Sequence, residues 1–211
     1  MQTLTIRPAA LADIAAITRI YADAVRNGTA SFEIEPPDET EMARRQKALL
    51  DGGYPYLVAT IAGSVAGYAY AGPYRARPAY KWSVEDSIYA APEMQRRGIG
   101  RLLLTKLIAE SEARGFRQMI AVIGDSTQIG SIAVHAKAGF SHVGTLRSVG
   151  FKHGKWLDTV LMQRSLADGD TTPKPVWSGR LSPAPRAAND QAHRGRDRVP
   201  GRGARYAPLP R

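Results

Sequence analysis

The sequence predicts a single α/β domain, more finely an α+β domain, with a mixed central sheet flanked by helices. Strand-like and helix-like segments alternate over most of the chain, and 211 residues with 44% apolar content suffice for one sizeable core. The alternation stops after Leu166. We therefore expect the domain to span residues 1–166 and to exclude residues 167–211.

The chain begins with a strand and a helix. Residues 2–7 (QTLTIR) predict a short strand, and residues 11–25 predict a helix with one apolar face that Gly28 ends. The members of that face are Leu11, Ile14, Ile17 or Tyr21, and Val25.

A second helix and a hairpin follow. The helix is predicted from Asp38, because the spacing of Asp38 and Glu41 after two prolines resembles a capping arrangement, and it ends at Gly52-Gly53. Residues 56–62 and 64–72 then predict two antiparallel strands joined by a tight turn.

The rest of the domain continues the alternation. A strand over roughly 80–90 is ended by Pro92, and residues 97–115 predict a helix that opens on two glycines. The remaining elements are a buried strand over 116–124, a helix over about 127–138, and strands over about 140–149 and 156–165. The predicted order is β-α-α-β-β-β-α-β-α-β-β.

The segment after Leu166 has a different composition. It contains seven of the fourteen prolines, and its nine basic residues against four Asp supply half of the net charge of +10. Such a stretch buries too little apolar surface to offset its ordering entropy, so we expect a disordered tail. A solvated tail is commoner than a nucleic-acid-binding one, and no nucleic-acid partner is expected.

Composition also excludes several classes of function. Cysteine is absent, which excludes disulfides, thiolate nucleophiles and cysteine-based zinc sites, and the four histidines lack metal-ligand spacing, so no metal is expected. No run of about eighteen uncharged apolar residues is present, and the first residues do not resemble a secretory leader. We expect a cytoplasmic protein without a membrane partner.

A glycine-rich turn lies between the strand ending near residue 90 and the following helix. In Gln95-Arg96-Arg97-Gly98-Ile99-Gly100 the glycines let backbone N–H groups approach an anion, and the helix adds its positive dipole end. This pattern favours pyrophosphate binding, although a tight turn alone would also explain it. It is neither a dinucleotide fingerprint nor a Walker loop.

Longer blocks carry a family resemblance. IYAAPEMQRRGIGRLLL followed by HAKAGF resembles the acetyl-CoA-binding core of the GNAT acetyltransferase superfamily. GTASFEIEPPDETEM, GYPYLVA, GYAYAGPYRARPAY, VEDSIY and VGFKHGKWLD resemble its phosphinothricin N-acetyltransferase group, whose acceptors include phosphinothricin, methionine sulfoximine and methionine sulfone. The resemblance covers about residues 3 to 166 and implies a GNAT-type domain with a splayed strand pair. Members of this group are commonly homodimers, so the resemblance also implies a homodimer.

The resemblance implies a set of cofactor contacts. Ile88, Tyr89 and Ala90 would pair with the pantetheine arm of acetyl-CoA, as an added strand does. The pyrophosphate would lie against the turn formed by Arg96, Arg97, Gly98, Ile99, Gly100 and Arg101. Ser126, Gln128 and Ser131 are secondary candidates, and Gln128 stands where relatives usually have Asn.

Two residues are the catalytic candidates. Alternation along the strand places Glu85 toward the acceptor amine, where the carboxylate needs burial or a relaying water to act as base. Taken alone, Glu85 reads as a surface carboxylate, and the resemblance favours catalysis. His135 stands where many GNAT enzymes carry a tyrosine that protonates the leaving thiolate. An imidazole is able to act as acid or base near neutral pH, and a histidine satisfied at a helix C-terminus is the structural alternative.

The acceptor site is predicted from the loop before that strand. Guanidinium groups bind carboxylates or phosphinates in a forked geometry, and with the resemblance this makes Arg75 and Arg77 the candidates for acceptor recognition, although two loop arginines are also commonly solvated. Ser87, Lys152 and Phe32 are weaker candidates for the same pocket.

The sequence thus predicts direct acetyl transfer from acetyl-CoA to the amine of a small amino-acid-like acceptor in a ternary complex, without a covalent enzyme intermediate. Other readings stay open: a GNAT enzyme acting on a protein N-terminus or an aminoglycoside, a non-catalytic acetyl-CoA sensor, or a nucleic-acid binder driven by the tail. An arginine-lined acceptor loop disfavours polycationic aminoglycosides.

Overall fold

Secondary structure follows the predicted order throughout residues 3–172, the part of the chain that the computed structural model describes. The seven strands are β1 Leu4–Pro8, β2 Tyr56–Ile61, β3 Ser64–Pro73, β4 Ser83–Ala90, β5 Gln118–Gly124, β6 Ser141–Lys152 and β7 Lys155–Ser165. The four α-helices are α1 Ile14–Asn27, α2 Glu39–Asp51, α3 Ile99–Ala113 and α4 Ile129–Lys137. The predicted tail lies, from residue 173 onward, outside the described residues.

Helix boundaries follow local chemistry. The Asp38 side chain accepts a hydrogen bond from the Glu41 N–H at 2.8 Å and caps α2, which confirms the predicted capping arrangement at this end. α3 begins at Ile99 and not at residue 97, because its N-cap Gly98 has the left-handed φ of +79° that a helix interior excludes.

The prediction for Leu11 was wrong. Residues 11–13 form a short 3-10 turn ahead of α1, which leaves Leu11 72% exposed, whereas the other members of the predicted apolar face are buried. The strand expected from about residue 80 begins at Ser83, because Pro78–Tyr80 form another 3-10 turn.

The seven strands form one sheet in the order β1-β2-β3-β4-β5-β7-β6. Neighbouring strands are antiparallel except β4 and β5, which run parallel at the centre. A parallel pair requires a crossover connection, and α3 supplies it. The turn that opens α3 therefore lies near the ends of the two central strands.

Alternation along the strands divides the core into two layers. Leu57 and Ala59 of β2 belong to the apolar cluster around α3, whereas Tyr56 and Val58 belong to the cluster around α1 and the buried Met42 of α2. Successive residues of a central strand consequently face different helices. No helix within the described residues is long and apolar enough to cross a membrane.

Candidate active site

The central strands β4 and β5 separate toward their carboxyl ends. They pair only from Ser83 with Gln118 to Asp86 with Ala121, although β4 runs on to Ala90 and β5 to Gly124. On its other edge β4 stays paired with β3 as far as Ala90. The splayed pair implied by the resemblance is therefore present, and β4 presents an unpaired backbone edge over residues 87–90.

A narrow cavity occupies the opening between the two strands. This splay cavity is lined by residues 86–89 of β4, by residues 121–124 of β5, and by Ala30, Gln128, Ser131 and His135. Ile88 and Tyr89 thus border the opening as predicted for the pantetheine arm. An extended chain with amide groups is the kind of ligand that such an edge pairs with.

The glycine-rich turn lies beside the far end of this opening. Arg96 adopts a left-handed φ of +58° and Gly98 one of +79°, while buried Ile99 anchors the start of α3 in the core. A Cβ on Gly100 would lie 4.0 Å from Ile88 Cγ2, which places the helix entrance against β4. The first turn of a helix leaves its N–H groups free for an anion.

The arginine side chains of this turn are exposed to solvent. The guanidinium groups of Arg96, Arg97 and Arg101 are therefore accessible to an anion that approaches the turn. An unpaired strand edge and a helix N-terminus in one groove fit the amide-bearing arm and the pyrophosphate of acetyl-CoA.

A larger cavity lies on the opposite face of β4. It encloses about 290 Å³ between the sheet and α2, and Glu85 and Ser87 stand on its floor. Aromatic and aliphatic side chains form most of its wall, among them Tyr21, Met42, Leu49, Tyr54, Tyr56, Tyr68 and Tyr70. This Glu85 cavity has the size and lining expected for a small organic acceptor.

Glu85 has an environment suited to proton transfer. Burial, and to a smaller degree the charge of neighbouring Asp86, raise the pKa of its carboxyl to about 7 against the opposing charge of Arg75. Arg75 therefore acts on Glu85 electrostatically from the loop after β3, while its guanidinium lies 4.6 Å from the centre of the Tyr74 ring. A carboxylate with a pKa near neutrality is a competent general base.

The predicted acceptor residues fall into two groups. Glu85 and Ser87 line the Glu85 cavity, and Arg75 and Arg77 are exposed on the adjacent loop. Lys152 and Phe32 are not among its lining residues in the described chain. Lys152 instead is buried and donates a hydrogen bond to the Ser31 carbonyl at 2.7 Å, and burial lowers the pKa of its ammonium.

The Phe32 ring lies over two glycines. A Cβ on Gly150 would come within 2.3 Å of Phe32 Cε2, and one on Gly124 within 2.9 Å of Phe32 Cε1. Both glycines therefore permit the segment 28–33 to lie close against β5 and β6.

Several other hydrogen bonds hold this segment 28–33. Thr29 Oγ1 donates to Asp125 at 2.8 Å and accepts from the Gln128 side chain at 3.0 Å. Beside the Glu85 cavity, the Tyr21 hydroxyl and the Arg45 guanidinium both donate hydrogen bonds to the Glu33 carboxylate. The segment consequently links the start of α4 to the wall of the Glu85 cavity.

The three secondary cofactor candidates are engaged within the protein. Gln128 bonds Thr29, Ser126 Oγ donates to Asp158 at 2.9 Å, and the Ser131 carbonyl lies 2.8 Å from His135 Nδ1. Gln128 and Ser131 still line the splay cavity. Their direct role toward the cofactor stays a prediction.

His135 is buried and both of its ring nitrogens have partners. Nδ1 lies 2.8 Å from the Ser131 carbonyl oxygen, and Nε2 lies 3.0 Å from Asp86 Oδ2. Burial opposes the charged ring, but the hydrogen bond to Asp86, the Asp86 charge and the Ser131 carbonyl together raise the pKa of His135. A ring so engaged does not offer a free nitrogen as a base.

Sequence reasoning missed Asp86 and the two arginines of α2. Alternation of β4 would have placed Asp86 opposite Glu85, but nothing in the sequence shows that α4 brings His135 to it. Arg44 and Arg45 line the Glu85 cavity and bind Glu41, which holds the pKa of that carboxyl at about 2. The described residues contain no group of three or more His, Cys, Asp or Glu side chains arranged to hold a metal ion.

Comparison with known proteins agrees with this geometry. Residues 6–161 match the family model described as an acetyltransferase (GNAT) domain. A phosphinothricin N-acetyltransferase of Alcaligenes faecalis is 56% identical over 160 residues, which cover 76% of this chain and 81% of that protein. An L-methionine sulfoximine/L-methionine sulfone acetyltransferase of Pseudomonas aeruginosa is 40% identical over 77% of this chain and 94% of that protein.

A solved structure shows the same fold. The crystal structure of a GNAT superfamily phosphinothricin acetyltransferase from Sinorhizobium meliloti in complex with AcCoA superposes with a TM-score of 0.79 at 49% identity. The match covers 81% of this chain and 92% of that one. With the splayed strands, the glycine-opened helix and these matches together, the chain belongs to the GNAT acetyltransferase family.

Proposed function

We propose that this enzyme transfers an acetyl group from acetyl-CoA directly to the amino group of a small amino-acid-like acceptor of the phosphinothricin, methionine sulfoximine or methionine sulfone type. The observation that carries the proposal is the position of Glu85. It lies in β4 between a cavity of acceptor size on one face and the splay that suits acetyl-CoA on the other. The relatives' acceptors support the substrate class.

The residues of the cofactor groove have separate roles. The backbone of Ile88, Tyr89 and Ala90 pairs with the pantetheine arm, and the turn 96–101 holds the pyrophosphate. Acetyl-CoA, when bound there, supplies an acetyl group activated as a thioester. The chain has no cysteine to accept that group first, which agrees with direct transfer in a ternary complex.

Glu85 prepares the acceptor. An acceptor amine binds as an ammonium ion, and the partly buried Glu85 carboxylate removes its proton directly or through a water. Ser87 orients the amine from the same strand face, while Arg75 and Arg77 bind the acceptor's carboxylate or phosphinate at the rim. His135, on the cofactor side of the sheet, stabilises the departing thiolate.

The exposed apolar side chains of the β6-β7 hairpin support the proposal of a homodimer. Val143, Leu146, Val149, Phe151 and Trp156 are each between 49% and 66% exposed on or beside the edge strand β6. A row of this kind on an edge strand is unfavourable in water and is commonly covered by a partner.

We place the enzyme in the cytoplasm, where acetyl-CoA is available.

We further propose that residues 1–166 form the complete catalytic unit and that residues 167–211 are dispensable for turnover. The boundary is supported by the buried Leu166, which packs into the apolar cluster around α3.

The test measures thiol release from acetyl-CoA with a panel of phosphinate, sulfoximine, sulfone and unmodified amino acids, together with a peptide N-terminus and an aminoglycoside. Both the full chain and residues 1–166 are assayed, with Glu85→Gln as the matched control. We expect turnover on the sulfoximine, sulfone or phosphinate amino acids in both forms. Binding of acetyl-CoA without turnover on any amine would identify a sensor and contradict the proposal.

A further inference from the structure

The pair formed by Asp86 and His135 lies on the opposite face of β4 from Glu85. The two side chains are 2% and 6% exposed, and they meet at 3.0 Å between Asp86 Oδ2 and His135 Nε2. Asp86 and His135 both line the splay cavity. The pair therefore lies on the face of β4 toward the proposed cofactor groove. Glu85, the proposed base, lies on the opposite face.

The hydrogen-bond partners of His135 restrict where its ring carries protons. A backbone carbonyl oxygen only accepts, so Nδ1 donates its proton to Ser131 at 2.8 Å. An ionised carboxylate also only accepts, so Nε2 carries a proton as well. The ring is then an imidazolium ion, whereas beside a protonated Asp86 it would be neutral with Nε2 as the acceptor.

Packing holds the ring in this orientation. The Phe140 ring meets the imidazole edge-on, with ring centres 5.1 Å apart and planes at 88°. The ionisable group that contacts the ring is Asp86 from β4, while α4 contributes the Ser131 carbonyl and the loop between α4 and β6 contributes Phe140. Glu85, the next ionisable side chain of β4, lies on the other face with Arg75 beyond it.

The second carboxylate oxygen of Asp86 indicates that the pair lowers the stability of the fold. Asp86 Oδ1 is buried and has no hydrogen-bond partner within residues 3–172. A buried carboxylate with one unsatisfied oxygen is destabilising unless a cation compensates for its charge. His135 is the ionisable side chain in contact with it, so a charged Asp86 and a charged His135 would depend on one another.

We propose that Asp86 is a positioning residue, which keeps His135 doubly protonated and fixed against the splay cavity. Both N–H groups of the ring are already donated, so His135 acts on the departing thiolate through its positive charge and does not need to release a proton. Acetyl transfer breaks the carbon–sulfur bond and leaves negative charge on the sulfur, while the second proton of the attacking nitrogen passes to the solvent. A preorganised cation nearby lowers the free energy of the thiolate. This last step rests on the proposed function, whereas the state of the ring does not.

The first test reads the ring directly in the cofactor-free full chain. Proton–nitrogen NMR of the histidine side chains at pH 7.5, with His135 assigned by its loss in His135→Gln, should show both His135 nitrogens protonated. In Asp86→Asn the ring should become neutral with its proton on Nδ1, because the carboxylate charge is gone. Asp125→Asn, which alters a buried carboxylate bonded to Thr29, is the matched control and should leave the His135 signals unchanged.

The second test separates positioning from general structural damage. Asp86→Asn should lower kcat at least about tenfold with little change in the KM for acetyl-CoA, and Asp86→Glu should restore part of the lost kcat. A neutral His135 ring in the unmodified protein would overturn the proposal even if Asp86→Asn does not fold. Where that variant folds, the same ring titration with and without Asp86 would overturn it as well. Loss of turnover on every amine alongside the expected NMR result would instead refute the proposed function and leave the pair intact.

Discussion

Replacing Glu85 by Gln removes the proposed base while keeping the size of the side chain. A positioned general base contributes about 10²- to 10⁴-fold to a rate, so kcat should fall by that order while the affinity for acetyl-CoA stays nearly unchanged. The cofactor affinity is spared because Glu85 faces the large cavity against α2, whereas the splay lies across the strand.

The pH dependence of kcat/KM gives a more specific prediction than the loss of kcat in Glu85→Gln. The pKa of Glu85 is about 7, so about one carboxyl in eleven is ionised at pH 6 and about ten in eleven at pH 8. The acid limb of kcat/KM should therefore rise roughly tenfold between these pH values, whereas a carboxyl at the ordinary value of 4.5 would produce only a few per cent change.

Stopped assays of thiol release across pH 5 to 9 measure this limb in the unmodified enzyme and in Glu85→Gln. The residual activity of the variant should follow the ionisation of the free amine, near pH 9. An acid limb that is the same in both proteins, or one centred near pH 4.5, would remove Glu85 from the mechanism.

Three further changes test the surroundings of the site. Arg75→Ala should raise the acceptor KM by about tenfold through loss of a charge-assisted contact, and should move the acid limb to higher pH because Arg75 lowers the pKa of the base; a changed KM for acetyl-CoA alone would contradict this placement. Gly124→Ala should lower the unfolding free energy by about 1–3 kcal/mol in denaturant titrations, because its Cβ would lie 2.7 Å from a backbone carbonyl oxygen of the segment 28–33. Lys152→Met should cost about 1–3 kcal/mol by leaving the Ser31 carbonyl unsatisfied, whereas Lys155→Met, at a side chain 59% exposed, should cost little; equal losses would show that Lys152 does not anchor the segment.

Periodicity and local signals determined the elements of this protein. The Asp38 cap, the glycine that ends α1 and the turn at Gly98 were each readable because they depend on residues close in sequence. The order of the elements was predicted correctly for the same reason. The failure at Leu11 is also local, since a 3-10 turn and a first helical turn have nearly the same sequence pattern.

The glycine-rich turn and the proposed base, Glu85, could likewise be identified from the sequence. Alternation alone places Glu85 and Asp86 on opposite faces of their strand, and a turn with Gly98 before a helix indicates an anion site. The match of several ordered blocks to one family then assigned the chemistry.

Tertiary structure alone decided which side chains meet. Lys152 was a weaker candidate for the acceptor pocket. Its ammonium group is buried and donates a hydrogen bond to the carbonyl of Ser31, 121 positions away along the chain. His135 pairs with Asp86, 49 positions earlier. Such pairings depend on how a helix packs on a sheet, and the pattern of one segment carries no information about the residue opposite it. For the same reason the pKa of Glu85 follows from burial and neighbouring charge, which exist only once the chain has folded.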